Sequence, residues 1–166
     1  MGHMAQICGD PSTPAVMRHT LAGFKTGLPV VAAELDGRIV GMPANSLQSV
    51  SPDPPLVSLA FAHTSMTWPV FRRAPRWGIS VPGEAQSHVL QDLRRPGTER
   101  FTGINMDIAD GAGFVRDALA MIAVTLCSTV EAGDHTLVLL EVECLHRNRT
   151  QRPSVFFDTT THTLSR

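Results

Sequence analysis

Two long apolar-rich runs, ALAMIAVTLCSTVEA (118–132) and HTLVLLEVECLHRN (135–148), are separated only by Gly133-Asp134. That arrangement predicts two long strands joined by a tight turn. The pattern recurs upstream. PVVAAELDGRIVGM reads as two strands about Asp36-Gly37, LVSLAFA and RWGISV as short strands, and SVFFDTTTHTLSR as a source of a last one. Helical spacing is limited to three places: Val16, Met17, Leu21 and Phe24 after Thr13-Pro14; TSMTWPVFRRA; and GEAQSHVLQDLRR, with Ala85, Val89 and Leu93 ahead of Pro96-Gly97. Many strands, few helices and hairpin connections predict a mainly β chain built as a closed or partly closed barrel. Residues 14–166 read as one domain after a small polar tail, 1–13, whose MGHM opening resembles a cloning remnant. Residues 96–118, polar and glycine-bearing, read as a functional loop or lid.

Composition narrows the function classes. The chain of 166 residues is 43% hydrophobic and 17% charged, as expected of a globular domain with its own core. A formal net charge of −1 supplies no basic field for nucleic acid or anionic membrane. Arg72-Arg73 and Arg94-Arg95 read as exposed helix ends. No apolar run approaches the roughly 20 residues that cross a bilayer. Cys8, Cys127 and Cys144 form no C-x-x-C pair, and the latter two fall in strands, where buried, inert thiols are expected in a reducing cytoplasm. The histidines lack metal-ligand spacing, so no metal is expected. Dinucleotide-fold, Walker and zincin motifs are absent; GAGF (111–114) lacks a third glycine and a preceding strand, and GISVPG (78–83) has the wrong spacing for a nucleophile elbow.

GMPANSLQSVSPDPP, Gly41 to Pro55, connects two apolar runs with unusual hydrogen-bonding capacity. Asn45 offers an amide, and Ser46, Ser49 and Ser51 offer hydroxyls. Small side chains allow backbone N–H groups to approach an anion. Pro43, Pro52, Pro54 and Pro55 fix φ and organise those donors in advance. The alternative is a stiff crossover whose serines satisfy their own backbone.

The stretch GMPANSLQSVSPDPPLV resembles the pattern G-M-T-A-N-S-F-x-S-V-S-x-D-P-P-L-V of the flavin reductase components of two-component flavin monooxygenases. Three further motifs follow in order: Ser65-x-Thr67-Trp68-Pro69, Arg100-Phe101-x-Gly103, and the Gly133-Asp134-His135 turn. With GFKTGLPVVAA and PSVFFDTTTHTL at the ends, the resemblance covers about residues 16–164. It implies a split β-barrel of Greek-key type that binds FMN or FAD as a homodimer, takes hydride from NADH or NADPH, and passes free reduced flavin to a separate monooxygenase. Ala44, Asn45 and Ser46, flanked by Pro43, Ser49 and Ser51, would lie against the flavin ring and ribityl chain. Ser65 and Thr67 would reach the ribityl or phosphate near a helix start. Arg100, beside Phe101, would pair with the phosphate, and His135 would hold the nicotinamide over the flavin. Asp134 would serve the turn.

Three positions depart from the family pattern. Pro43 stands where threonine is usual, Lys25 where alanine is common, and Thr161 where an aromatic usually stands, leaving Phe156 and Phe157 as apolar cover. These departures leave room for a different reading, a flavin carrier of the same barrel without turnover.

Overall fold

In this computed structural model the described residues are 27–157 and 160–163, together with Ala15. The expected tail, the helix over residues 14–24 and Lys25 lie outside them, apart from Ala15. So do the side chains of Phe156, Phe157 and Thr161.

The first hairpin is set by its turn. β1 (Val30–Leu35) and β2 (Arg38–Pro43) pair from Val30↔Pro43 to Leu35↔Arg38, and both turn residues, Asp36 (φ 52°) and Gly37 (φ 71°), take the left-handed conformation that such a turn demands. Next come β3 (Gln48–Pro52), β4 (Pro55–Ala62), the one-turn helix α1 (Trp68–Phe71) and β5 (Trp77–Val81). A 3-10 turn leads into α2 (Ser87–Asp92), then β6 (Met106–Ala109), β7 (Ala112–Val115), β8 (Ala120–Ala132), β9 (His135–Arg147), β10 (Ser154–Phe157) and β11 (Thr160–Thr163). Among the described residues the main sheet runs β3-β4-β9-β8-β5-β1-β7-β6, with β2 on the other edge of β1, and does not close. This is the mainly β split barrel expected.

Two expectations about segments need correction. Residues 96–118 are not an open lid throughout: they contain the β6–β7 hairpin, paired from Met106↔Val115 to Ala109↔Ala112 and joined to β1 through Ala33↔Ala112. The proline-rich connection likewise contains β3, an edge strand on β4 that stays short between its prolines.

The core holds the helix that carries the SxTWP motif. Trp68 and Phe71 of α1 are buried against Phe61 of β4 and Trp77 of β5. Phe61 and Trp68 stack with centroids 4.5 Å apart, and Trp77 meets both edge-on. The Trp77 indole N–H donates to the Ala74 carbonyl, so its polar atom is satisfied inside the core. A second cluster packs Val89 and Leu90 of α2, and Leu93 just after it, against Val30 and Val115, with Phe101 and Ile104 laid over it. The first cluster fixes residues 65–67 and the second fixes residues 100–104. A Cβ on Gly78 would stand 2.1 Å from the Gly113 carbonyl oxygen, so β5 and β7 meet there only because residue 78 has no side chain.

The β8–β9 hairpin outgrows its neighbours. β5 covers β8 only from Ala120 to Val124, and β4 covers β9 only from His135 to Glu141. Residues 126–132 are consequently exposed on both faces, as are residues 143–147. Cys127 and Cys144 fall in these overhangs and are exposed free thiols, not the buried ones expected. Arg72, Arg73, Arg94 and Arg95 are exposed directly after the two helices, as expected.

Candidate functional site

A cleft of about 850 Å³ opens between β2 (Arg38 to Gly41), the α1 corner (Met66, Thr67, Val70) and the segment from Pro96 to Thr102. Arg100 sits at its inner end. Its Nη1 donates to the Gly41 carbonyl at 2.7 Å and to Thr67 Oγ1 at 3.1 Å, while its buried Nε has no hydrogen-bond partner among the described residues. Burial alone pushes its pKa below the ordinary arginine value, and no carboxylate offsets that desolvation. A guanidinium stays charged even so. Thr67 accepts from Arg100 and keeps its own hydroxyl proton to donate. Phe101, half-buried, continues the apolar wall.

The other expected site residues gather along the far end of β4. Ser46 spends its hydroxyl on Ala60, accepting from the Ala60 N–H at 2.9 Å and donating to its carbonyl at 3.3 Å. Ala44 is buried, with its N–H on the Pro29 carbonyl, Asn45 is exposed beside it, and Pro43 closes β2 opposite Val30. Ser65 Oγ accepts from the Trp68 N–H at 3.1 Å, so this hydroxyl serves the start of α1. With a single turn, α1 offers little of the aligned N–H array expected at a helix start. His135 pairs with Ala62 at the end of β4, and its Nδ1 lies 2.7 Å from Asp134 Oδ1. That hydrogen bond, then the imidazole's charge, holds the Asp134 carboxyl below the usual aspartate range.

Gly41, Thr67, Arg100 and Phe101 thus share one cleft, with Ala44 to Ser46, Ser65 and His135 at the adjoining end of β4. Ser49 and Ser51 run away from it: Ser49 is exposed opposite Val57, and Ser51 accepts from the Asp53 N–H in the next turn.

The chain matches the family of the flavin reductase like domain over residues 21–165. It belongs to that family. It is 33% identical over 128 residues to a probable flavin reductase of Rhizobium meliloti, an alignment covering 76% of this chain and 41% of that protein; the chain therefore spans well under half of that relative. It is 33% identical to the reductase component of 4-hydroxyphenylacetate 3-monooxygenase of Thermus thermophilus, covering 84% of this chain and 89% of that one. Among solved structures, NADH:FAD oxidoreductase SgcE6 of Streptomyces globisporus aligns with a TM-score of 0.88 at 25% identity, over 96% of this chain and 98% of that one.

The donors of this flavin reductase-like domain fit a phosphorylated aromatic cofactor. A partly buried cation whose Nε–H has no partner among the described residues, next to a hydroxyl with a proton to give, suits phosphate oxygens. The apolar walls of Ile39, Val40, Val70 and Phe101 suit a ring system. Sequence reasoning missed Arg38, at the cleft's outer end, and His63, beside the Asp134-His135 turn. Both come into place through strand register, for which the linear sequence carries no local signal.

Proposed function

We propose that the protein is an NAD(P)H:flavin oxidoreductase that reduces FAD or FMN by hydride transfer and supplies free reduced flavin to a separate flavin-dependent monooxygenase. The observation that carries the reading is Arg100, a desolvated cation with an unmet Nε beside the Thr67 hydroxyl. Family membership and relatives named as reductase components support it.

Arg100 and Thr67 hold the flavin phosphate. Ala44, Asn45 and Ser46 lie along the ring and ribityl chain, chiefly through backbone, because the Ser46 hydroxyl is engaged by Ala60. Ser65 supports this corner through α1, Phe101 contributes apolar wall, and Pro43, Ser49 and Ser51 shape and stiffen the flanking loop. His135, fixed at Nδ1 by Asp134, presents its other nitrogen to the nicotinamide. The bound flavin supplies the hydride acceptor, so the residues need only hold, orient and partly desolvate two ring systems. Beyond Thr67 and Arg100 the cleft continues to Arg38, leaving apolar wall and a second cation for the adenylate half of FAD.

Leu126, Val130 and Leu145, exposed on the overhanging hairpin, support a homodimer in which a second copy covers β8 and β9. The exposed free thiols Cys127 and Cys144 suit a reducing cytoplasm.

The test is NADH and NADPH oxidation by catalytic amounts of protein with added FAD or FMN. Loss of reduced nicotinamide that requires both protein and flavin is expected. Tight flavin binding without turnover would replace this reading with the flavin carrier. Light scattering that gives a monomer mass would remove the dimer.

A further inference from the structure

At the tip of the β8–β9 hairpin, His63, Glu131 and Thr136 have no part in the roles above. His63, the first residue beyond β4, places Nε2 2.8 Å from Glu131 Oε2. Its backbone N–H donates to the Asp134 carbonyl at 2.9 Å. The other oxygen of Glu131 accepts from Thr136 Oγ1 at 3.2 Å, and Asp134 reaches His135. His63 therefore grips both arms of the turn, and each gripped residue in turn holds one of the first two residues of β9.

The need for such a grip follows from the topology. Ala62↔His135 is the last pair between β4 and β9, and the outer edge of β8 has no strand partner beyond Val124 among the described residues. Among the described residues no other strand restrains Gly133 and Asp134 laterally. We propose that His63, acting through Glu131, is a positioning residue that sets the pose of the His135 imidazole toward the nicotinamide. This inference rests on the role given to His135 under the proposed function.

The size of the effect is bounded by exposure. The His63 and Glu131 side chains are 44% and 74% exposed, so their pairing adds little to global stability. Its value lies in the pose of a neighbouring group, where a small displacement costs rate. The contact needs a proton on His63 Nε2, which either the imidazolium or one neutral tautomer supplies.

The test uses the full chain with saturating flavin, measuring kcat and KM for NADH alongside flavin affinity from fluorescence quenching. His63→Ala and Glu131→Ala are each expected to raise the KM for NADH roughly fivefold, with flavin affinity unchanged. His63→Gln and Glu131→Gln, which keep a donor and an acceptor in place, are expected to recover most of the loss. The double alanine variant is expected to be no worse than either single one. Unchanged KM in the alanine variants, additive losses in the double variant, or a parallel loss of flavin affinity would overturn the inference while leaving the reductase reading intact. An unaltered chain that oxidises neither NADH nor NADPH with added flavin would overturn the reductase reading and the inference together.

Discussion

Arg100 reaches back over 59 positions of chain to place its guanidinium 2.7 Å from the Gly41 carbonyl. The contact ties the RFxG segment to the end of β2, where the GMPANS loop begins, and leaves Nε with no hydrogen-bond partner among the described residues. Arg100→Ala removes a charged donor set and is expected to weaken flavin binding by about ten- to hundredfold. Arg100→Lys keeps the charge but loses the fork, so it should fall between. Fluorescence titration with FMN measures both; an alanine variant that binds as tightly as the parent would exclude Arg100 from the phosphate site.

Ser46 lies in the same loop but is expected to behave differently. Its hydroxyl meets both backbone groups of Ala60, so Ser46→Ala leaves a partly buried N–H without a partner. The expected cost is about 1–2 kcal/mol, seen as several degrees in Tm. Flavin affinity measured well below that Tm should change little. A large affinity loss with an unchanged Tm would mean that the hydroxyl serves the ligand and not the loop.

These two residues illustrate what the sequence could carry. The hairpins at Asp36-Gly37 and Gly133-Asp134 were legible because turn chemistry is local. The Gly41–Pro55 loop and the SxTWP corner were legible as motifs, yet the motif could not say that the Ser46 and Ser65 hydroxyls are committed to Ala60 and Trp68. β6 and β7 were missed because MDIA and AGFV are too short to show a period, and β3 because QSVSP is poor in strand-forming residues. Exposure of Cys127 and Cys144 depends on how far β5 and β4 extend along the long hairpin, which only the register determines. The same holds for Arg38 and His63, whose neighbours lie far away in the chain.

Arg38 offers a way to separate the two flavins. It lines the same cleft as Thr67 and Arg100, three residues before Gly41 on β2, and with the phosphate held at Arg100 as proposed, FMN would present no further group to it. Arg38→Glu is expected to weaken FAD binding by roughly tenfold and to alter FMN binding much less. Parallel titrations of both cofactors give the comparison. Equal losses would place Arg38 at the phosphate the two share.

Gly78→Ala tests the packing that holds the barrel together. The new methyl would meet the backbone of Gly113, at 2.1 Å from its oxygen and 2.7 Å from its carbonyl carbon, and backbone cannot rotate aside. β5 and β7 would have to part, at a cost of at least about 3 kcal/mol. Thermal and denaturant unfolding should report a strongly destabilised or insoluble chain; a variant with a parental Tm would show that the two strands have room to spare.

Arg76 and Glu143 join the start of β5 to the overhanging half of β9 by a two-pronged contact, Nη2 donating to Oε1 at 3.2 Å and Nε to Oε2. The hydrogen bond from Arg76, followed by its charge, lowers the Glu143 pKa, and the same contact raises that of Arg76. Because the folded carboxyl holds its proton less tightly than the unfolded one, the unfolded chain binds more protons in acid. The pair's stabilisation is therefore complete above the ordinary glutamate pKa of about 4.3 and is lost as pH falls through the lowered folded value. Both groups face solvent, so the effect is small and screened by salt. Glu143→Gln is expected to lower Tm by about a degree or two at neutral pH in dilute buffer. The gap between variant and parent should shrink in stronger acid and in high salt, and melts across that pH range check it. A gap that widens as the solution is acidified would mean that Glu143 is held in its protonated form in the folded chain, against the sign of the Arg76 contact.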